Sequence, residues 1–378
     1  MMWIAWRMLV GNRGKYIGII VGIAFSALLI AQQSSIFCGL MRLTSSQIRD
    51  IQGADIWVMD PNVQFIDDIK PLSEDDLRLV QGVTGVDWAQ RLYKGLGRAR
   101  QDDGNYRQII ILGLDNSSLV GAPLEIILGN LADLNLPDAV MMDDAGFKEM
   151  WPGEPFSLGK TFEMNDHRAI VIGVCKASRT FQTFPVVYTR FSQAIDYAPS
   201  ERKVLSFILA QGVKGIPSEE VCRRIKEQTG LKALTRQAFM DLTTDYFMEK
   251  TGIPFNFGIV VILGFIVGAV ISGQTFYMFT VENLKQFGAL KAMGTSNWRI
   301  VGMVLLQAFQ VGVIGYGIGV GLAAGFGWAI RGASRLAFYM PWQVLVLTAG
   351  LVVLIILISA VLSVRKVLVI DPAIVFQG

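Results

Sequence analysis

Charge, histidine and cysteine are all scarce in this sequence. Asp, Glu, Lys and Arg make up 17% of its 378 residues, against about 25% in ordinary water-soluble domains. The net charge is +3 and no basic cluster occurs. That excludes the phosphate-neutralising surface of a nucleic-acid binder, and no nucleic-acid partner is expected. The one histidine, His167 beside Asp166, reads as a loop residue and leaves little scope for histidine-based catalysis. The three cysteines, Cys38, Cys175 and Cys222, are odd in number and lack metal-ligand spacing. They supply neither a disulfide framework nor a zinc site.

A complete nucleotide-binding signature is also missing. Residues 153–161 read GEPFSLGKT, with five residues between the glycines. A P-loop has four there, because its backbone N–H groups must wrap one phosphate chain before a helix begins. Pro155 removes an N–H, and the residues that follow continue as strand. The paired carboxylates Asp67-Asp68, Asp75-Asp76, Asp102-Asp103 and Asp143-Asp144 mostly sit beside Gly, Pro or Ser. That is the chemistry of solvated turns. No catalytic constellation, metal site or cofactor is expected on this chain.

What is present is apolar and concentrated. Residues 16–41, 258–278, 300–330 and 340–364 contain no charged side chain, in a chain that is 52% hydrophobic. A helix crosses a hydrocarbon core in about 20 residues, so each stretch is long enough to span. The first is too long for a signal-peptide core and lacks a small-x-small cleavage site. Phe37 stands before Cys38, where lipoprotein signals resemble one another in having a small residue. An uncleaved anchor is expected. Lys and Arg flank the cytoplasmic ends of membrane helices. Arg7, Arg13, Lys15, Lys285, Lys291, Arg299, Arg365 and Lys366 fall on one side of a four-helix threading, while Arg42, Arg331 and Arg335 oppose it. Both termini are therefore expected in the cytoplasm, with residues 42–250 outside.

The 42–250 segment has the pattern of a folded α+β domain. Strand, helix, strand, strand are expected at 55–59, 73–81, 86–93 and 107–114, and strand, helix, strand at 204–210, 218–228 and 231–234. Between these half-units, residues 115–200 read as a mostly β insertion. Residues 39–52 and 236–252 read as stalks extending the first two membrane helices. Small residues recur four apart at Gly18 and Gly22, Gly264 and Gly268, Gly315 and Gly319, and Gly317 and Gly321. Such spacing lets helices approach closely, within one chain or between two copies.

Residues 281–299 form a short segment between the second and third spans. A helix is expected over about 281–293, ended by Gly294 in the left-handed conformation, with Thr295 or Ser296 capping the next helix. Glu282 would open it at the positive helix end. Leu284, Phe287, Leu290 and Met293 make a drifting apolar stripe, and an exposed Phe287 would need a partner's hydrophobic pocket.

The pattern Glu282, Phe287-Gly288, then Leu290-Lys291-Ala292-Met293-Gly294 resembles the coupling-helix motif of the MacB/FtsX-like permease family, the type VII ABC transporters. Arg365-Lys366 followed by Asp371-Pro372 is similar to that family's tail. Leu158-Gly159-Lys160 leading to Ile172-Gly173-Val174 is similar to part of its outer domain. Gly22-Ile23-Ala24-Phe25 and the unfused layout look most like the DevC-type exporter branch. The resemblance implies four transmembrane helices and an extracytoplasmic domain with porter-like and β-rich sabre-like parts. It implies a homodimeric, multi-pass permease in the cytoplasmic (inner) membrane, in contact with lipid. ATP and Mg would be bound by a separate cytosolic ATPase pair, docked on Glu282, Lys285, Phe287, Gly288, Leu290, Lys291, Ala292, Met293 and Gly294. A periplasmic adaptor (membrane fusion) protein is a further partner of such systems. Two functions are open: an exporter that transmits ATPase motion to its outer domain, and an FtsX-like signalling permease that regulates an outer enzyme without transport. The polar run Gln32, Gln33, Ser34 and Ser35, near the outer end of the first span, is read either as helix-to-helix hydrogen bonding or as contact with an exported molecule.

Overall fold

A computed structural model describes residues 2–11, 13–101, 104–198, 205–330 and 336–368. Asp102 and Asp103, Arg331 and Arg335, the side chain of Lys366, and Asp371-Pro372 lie outside the described residues. The chain divides into two units: Met1–Leu40 with Gly252–Gly378, and Met41–Thr251. In chain order, helices α1 (Met2–Gly11), α2 (Arg13–Thr44) and α3 (Ser46–Asp50) come first. Strand β1 (Ile56–Met59), helix α4 (Glu74–Gln81) and strands β2 (Val86–Arg100), β3 (Tyr106–Leu114) and β4 (Glu125–Gly129) follow. After a 3-10 turn at Leu131–Asn135 come β5 (Ala139–Asp143), α5 (Asp144–Met150), β6 (Thr161–Met164), β7 (His167–Lys176), β8 (Val186–Arg190) and α6 (Phe191–Tyr197). Strand β9 (Phe207–Gly212), α7 (Ser218–Thr229), β10 (Lys232–Thr235) and α8 (Arg236–Glu249) precede the last helices. These are α9 (Ile253–Glu282), α10 (Leu284–Ala292), α11 (Asn297–Ile330) and α12 (Trp342–Leu368).

In the first unit the four uncharged stretches correspond to helices long and apolar enough to cross a membrane: Arg13–Thr44, Ile253–Glu282, Asn297–Ile330 and Trp342–Arg365, the last starting two residues after the expected 340. The burial pattern is inverted relative to a water-soluble bundle. Ile262, Leu263 and Val270 of α9, Phe309 and Leu322 of α11, and Val353 and Leu357 of α12 face outward, whereas Ser26, Ser272, Thr280, Gln307, Thr348 and Ser359 are buried. An apolar exterior of this extent is stable against lipid, not water. Several inner hydroxyls are satisfied locally: Thr280, Thr348 and Ser359 donate to the carbonyls of Phe276, Val344 and Ile355 at 2.8–2.9 Å.

The second unit is built on one hydrogen-bonded sheet with two parts. The first has the order β10-β1-β9-β2, every pair antiparallel. With α4 and α7 as its crossovers it is the β-α-β-β-α-β arrangement of two half-units. The expected helix start at Ser73 is a complete capping box: Ser73 N–H donates to Asp76 at 2.8 Å, and Asp76 N–H donates to Ser73 Oγ at 3.1 Å. Helix α7 ends at Gly230 with φ +74°, a left-handed stop.

The second part closes on itself. Strand β2 pairs with β3, β3 with β8, β8 with β5, β5 with β7, β7 with β6, and β6 returns to β2. The 115–200 segment is thus hydrogen-bonded into the sheet through β3 and β8. It also contributes α5 and α6, which the mostly β expectation lacked. Strand β2 runs to Arg100, seven residues beyond its expected end at Tyr93, because its far half pairs with β3 and β6. Two glycines and three basic residues disguise that half as a loop in the sequence. Over the expected stalks, α2 breaks at Ser45 before α3, and α8 stops before Gly252.

Candidate functional site

The segment joining α9 to α11 is built around Asn283. Its side chain donates to Phe279 O at 2.7 Å and closes α9. Its carbonyl accepts from Gln286 and Phe287 N–H at 3.1 Å and opens α10. At the other end, Gly294 has φ +88°. Its N–H donates to Lys291 O at 2.9 Å, and Thr295 N–H to Leu290 O at 3.0 Å. This is a Schellman stop, as the glycine implied. Ser296 O then accepts from Arg299 and Ile300 N–H, starting α11.

Three expectations for this segment are corrected. The helix is shorter, Leu284–Ala292, because Asn283 divides it from α9. Glu282 ends α9 instead of opening α10, at a helix end whose partial charge does not favour an anion. It is compensated by an ion pair with Lys15 of α2. Phe287 is not exposed: it is fully buried in the chain's own core with Leu9, Phe276, Phe279, Ile300 and Met303. Gly288 and Leu290 are buried too. The stripe is therefore occupied internally, and what faces outward is Lys285, Gln286, Ala292, Met293, Gly294 and Trp298, with Lys291 half-buried. Met293 is 74% and Trp298 85% exposed. Trp298 was missed in the sequence, although a large aromatic directly after the polar run Thr295–Asn297 was its signal. Beside this surface, Arg7, Met8 and Gly11 of α1 form a cleft of about 500 Å³ with Glu282, Asn283 and Gln286.

The paired glycines serve contacts inside the chain. A Cβ on Gly22 would lie 2.9 Å from Ile271, and one on Gly268 would lie 2.4 Å from Ser26 Oγ. Gly264 approaches Leu29, and its carbonyl accepts from Ser26 Oγ at 2.7 Å. Gly315 and Gly319 let α11 reach the α2 backbone, with Cβ positions 3.2 Å from Ile20 O and 2.4 Å from Ala24 O. Gly18 makes only ordinary contact with Thr275, and Gly317 and Gly321 face open space. In the polar run, Ser35 Oγ donates to Ala31 O at 2.6 Å, and Ser35 O accepts from Tyr339 N–H at 3.0 Å. Ser34 is buried, and Gln32 and Gln33 are half-buried.

The described members of the paired carboxylates have structural partners. Asp67 pairs with Lys94, Asp68 with Lys70, Asp75 with Arg78 and Asp144 with Lys148. Asp143 is buried and accepts from Val186 N–H at 2.8 Å; burial pushes its pKa up to about 7. No group of three or more potential metal ligands occurs among the described residues. Residues 153–161 lead into β6, not into a helix.

Comparison with known proteins places these features. Residues 16–228 match the model of the MacB-like periplasmic core domain, and residues 258–372 match that of the FtsX-like permease C-terminal region. A protein of Staphylococcus haemolyticus named as a hemin transport system permease, HrtB, is 26% identical over 39% of this chain and 40% of its own length. An uncharacterized ABC transporter permease of Mycobacterium tuberculosis is 26% identical over 58% of each chain. The chain thus spans about half the length of these relatives. Among solved structures, the periplasmic region of MacB from Actinobacillus actinomycetemcomitans aligns with 54% of this chain and 96% of that one, at 17% identity and a TM-score of 0.38. The extracellular domain of the ABC-type transporter YknZ from Gram-positive bacteria aligns with 48% and 98%, at 17% identity and a TM-score of 0.35. With both family models matched, and with four helices long and apolar enough to cross a membrane, the chain is a membrane permease of the MacB/FtsX-like ABC transporter family.

Proposed function

We propose that this chain is the permease subunit of an ABC-type exporter that passes the motion of a separate cytosolic ATPase pair to an extracytoplasmic domain. The observation that carries the reading is the rigid attachment of α10. Phe287 and Leu290 share one core with residues of α1, α2, α9, α11 and α12. A push on the outer side of α10 is therefore felt by the helix bundle, not absorbed by a loose loop. Burial of the Phe287 ring contributes about 2–3 kcal/mol to that attachment. The docking surface is then Lys285, Gln286, Met293 and Trp298, with Phe287, Gly288 and Leu290 acting from beneath. Lys15 beside Glu282 brings the basic start of α2 to the same end of the bundle as Lys285 and Arg299. This supports a cytoplasmic location for that end. Residues 42–250 then face the outside of the cytoplasmic membrane, the chain works as a homodimer, and an adaptor protein joins from outside. ATP and Mg belong to the ATPase.

The test is co-purification of the ATPase with Met293→Ala/Trp298→Ala at matched expression. Loss of the ATPase with an unchanged melting temperature is expected. Retention would mean that Trp298 is a membrane-interface anchor, as tryptophans often are, and would overturn the docking surface. The resemblance to FtsX-like permeases also implies a second reading, control of an outer enzyme without transport. ATP-dependent release of a substrate from proteoliposomes supports the first reading, and ATP-dependent activation of a bound outer enzyme supports the second.

A further inference from the structure

The second unit contains a cavity of about 450 Å³ that the proposed mechanism does not use. Its volume is within the range of small-molecule pockets. Lys94, on the half of β2 beyond Tyr93, lies at this cavity with its side chain 3% exposed. An isolated buried ammonium group is strongly disfavoured. Here it is paired with Asp67 and also donates to Ile66 O at 3.2 Å. An ammonium group carries three donors, so one remains, and the second Asp67 oxygen takes no hydrogen bond among the described residues. Ser206 is already committed, accepting from Lys94 N–H at 2.9 Å and donating to Lys94 O at 3.0 Å. Much of the remaining wall is apolar, supplied by Ile69, Leu96 and Ile110.

The wall is held in place from behind. In the loop before α4, Phe65 stacks on Tyr246 of α8 at 4.2 Å, and Val63 O accepts from Lys232 Nζ at 2.6 Å. In the loop between β7 and β8, which carries the lining residue Gln182, Ser178 donates to Asp50 at 2.6 and 2.7 Å. Phe181 of that loop packs on Phe247 of α8 at 4.7 Å. The cavity is preformed, which spares a ligand the cost of ordering it.

We propose that this cavity binds a small uncharged amphiphile, its hydrogen-bonding head on the Lys94–Asp67 pair and its apolar body along Ile69, Leu96 and Ile110. The charges of the pair cancel, so a neutral hydroxyl or amide adds no unpaired charge. A ligand carboxylate would meet the partly exposed Asp67, and a ligand amine would meet the buried Lys94; like charges brought together are unfavourable.

The experiment uses the full chain in lipid nanodiscs with diazirine-bearing decanol, decanoic acid and decylamine, and maps the cross-links by peptide mass spectrometry. Decanol is expected to label the 93–96 and 182 peptides about tenfold more than either charged probe. Leu96→Trp, which fills the cavity, should abolish that labelling without changing the melting temperature. Ile69→Trp replaces it if Leu96→Trp does not fold. Equal labelling by the charged probes, labelling confined to the membrane helices, or labelling that survives the filling variant would overturn the proposal.

Discussion

Asp143 shows what one buried side chain imposes. Its carboxyl sits between β5 and α5, held by backbone N–H groups and not by a cation, and burial raises its pKa from 3.8 to about 7. The folded state therefore holds a proton that the unfolded state releases between those values. Stability from this group is full below pH 4 and is lost as pH rises toward 7, by at most about 4 kcal/mol. Asp143→Asn keeps the acceptor for Val186 N–H and removes the titration. Wild type is expected to melt at a higher temperature at pH 5.5 than at pH 8, and the variant should show a much smaller difference. Equal pH dependence in both would refute the assignment. Phe287 makes the parallel case for a buried apolar ring. Phe287→Ala should cost about 3–5 kcal/mol of stability, read as a lower melting temperature. That separates it from Met293 and Trp298, whose replacement should leave melting unchanged.

At the scale of elements, the packing of α2 is decided by which glycines meet it. Gly319 leaves room for the α2 backbone at Ala24, whereas Gly317, two residues away, has nothing within 4 Å. The two belong to overlapping four-residue repeats that the sequence does not distinguish. Gly319→Leu should destabilise by about 1–3 kcal/mol or more, since backbone cannot move aside as a side-chain tip can. Gly317→Leu should be tolerated. Melting in detergent, followed by size-exclusion recovery, separates them, and equal tolerance would refute this helix arrangement. Gly22, Gly264, Gly268, Gly315 and Gly319 are covered by the chain's own helices, so the proposed association of two copies would use other surfaces.

For the whole molecule, the proposed threading makes a chemical prediction. Cys175 and Cys222 are 0% and 7% exposed, and burial raises both thiol pKa values, so neither reports on sidedness. Cysteines placed at exposed Tyr106 and Val213 do. An impermeant maleimide should label Tyr106→Cys and Val213→Cys in intact cells or spheroplasts, and should reach Gln286→Cys only after lysis. The reverse pattern would invert the topology. Two copies per particle by light scattering, with the ATPase present, is the matching expectation for assembly.

The four apolar helices, the helix start at Ser73, the stop at Gly294 and both half-units of the second unit are legible in the amino-acid sequence alone, because each rests on local chemistry. Hydrophobic runs, caps and turn residues act within a few positions of one another. The far half of β2, the closed ring of strands, the choice of Gly319 over Gly317 and the meeting of Lys94 with Asp67 depend on partners distant in the chain. So does the burial of Phe287: an apolar stripe shows that a helix has a face to cover. Only tertiary packing decided that the cover is the chain's own core, which leaves Met293 and Trp298 exposed.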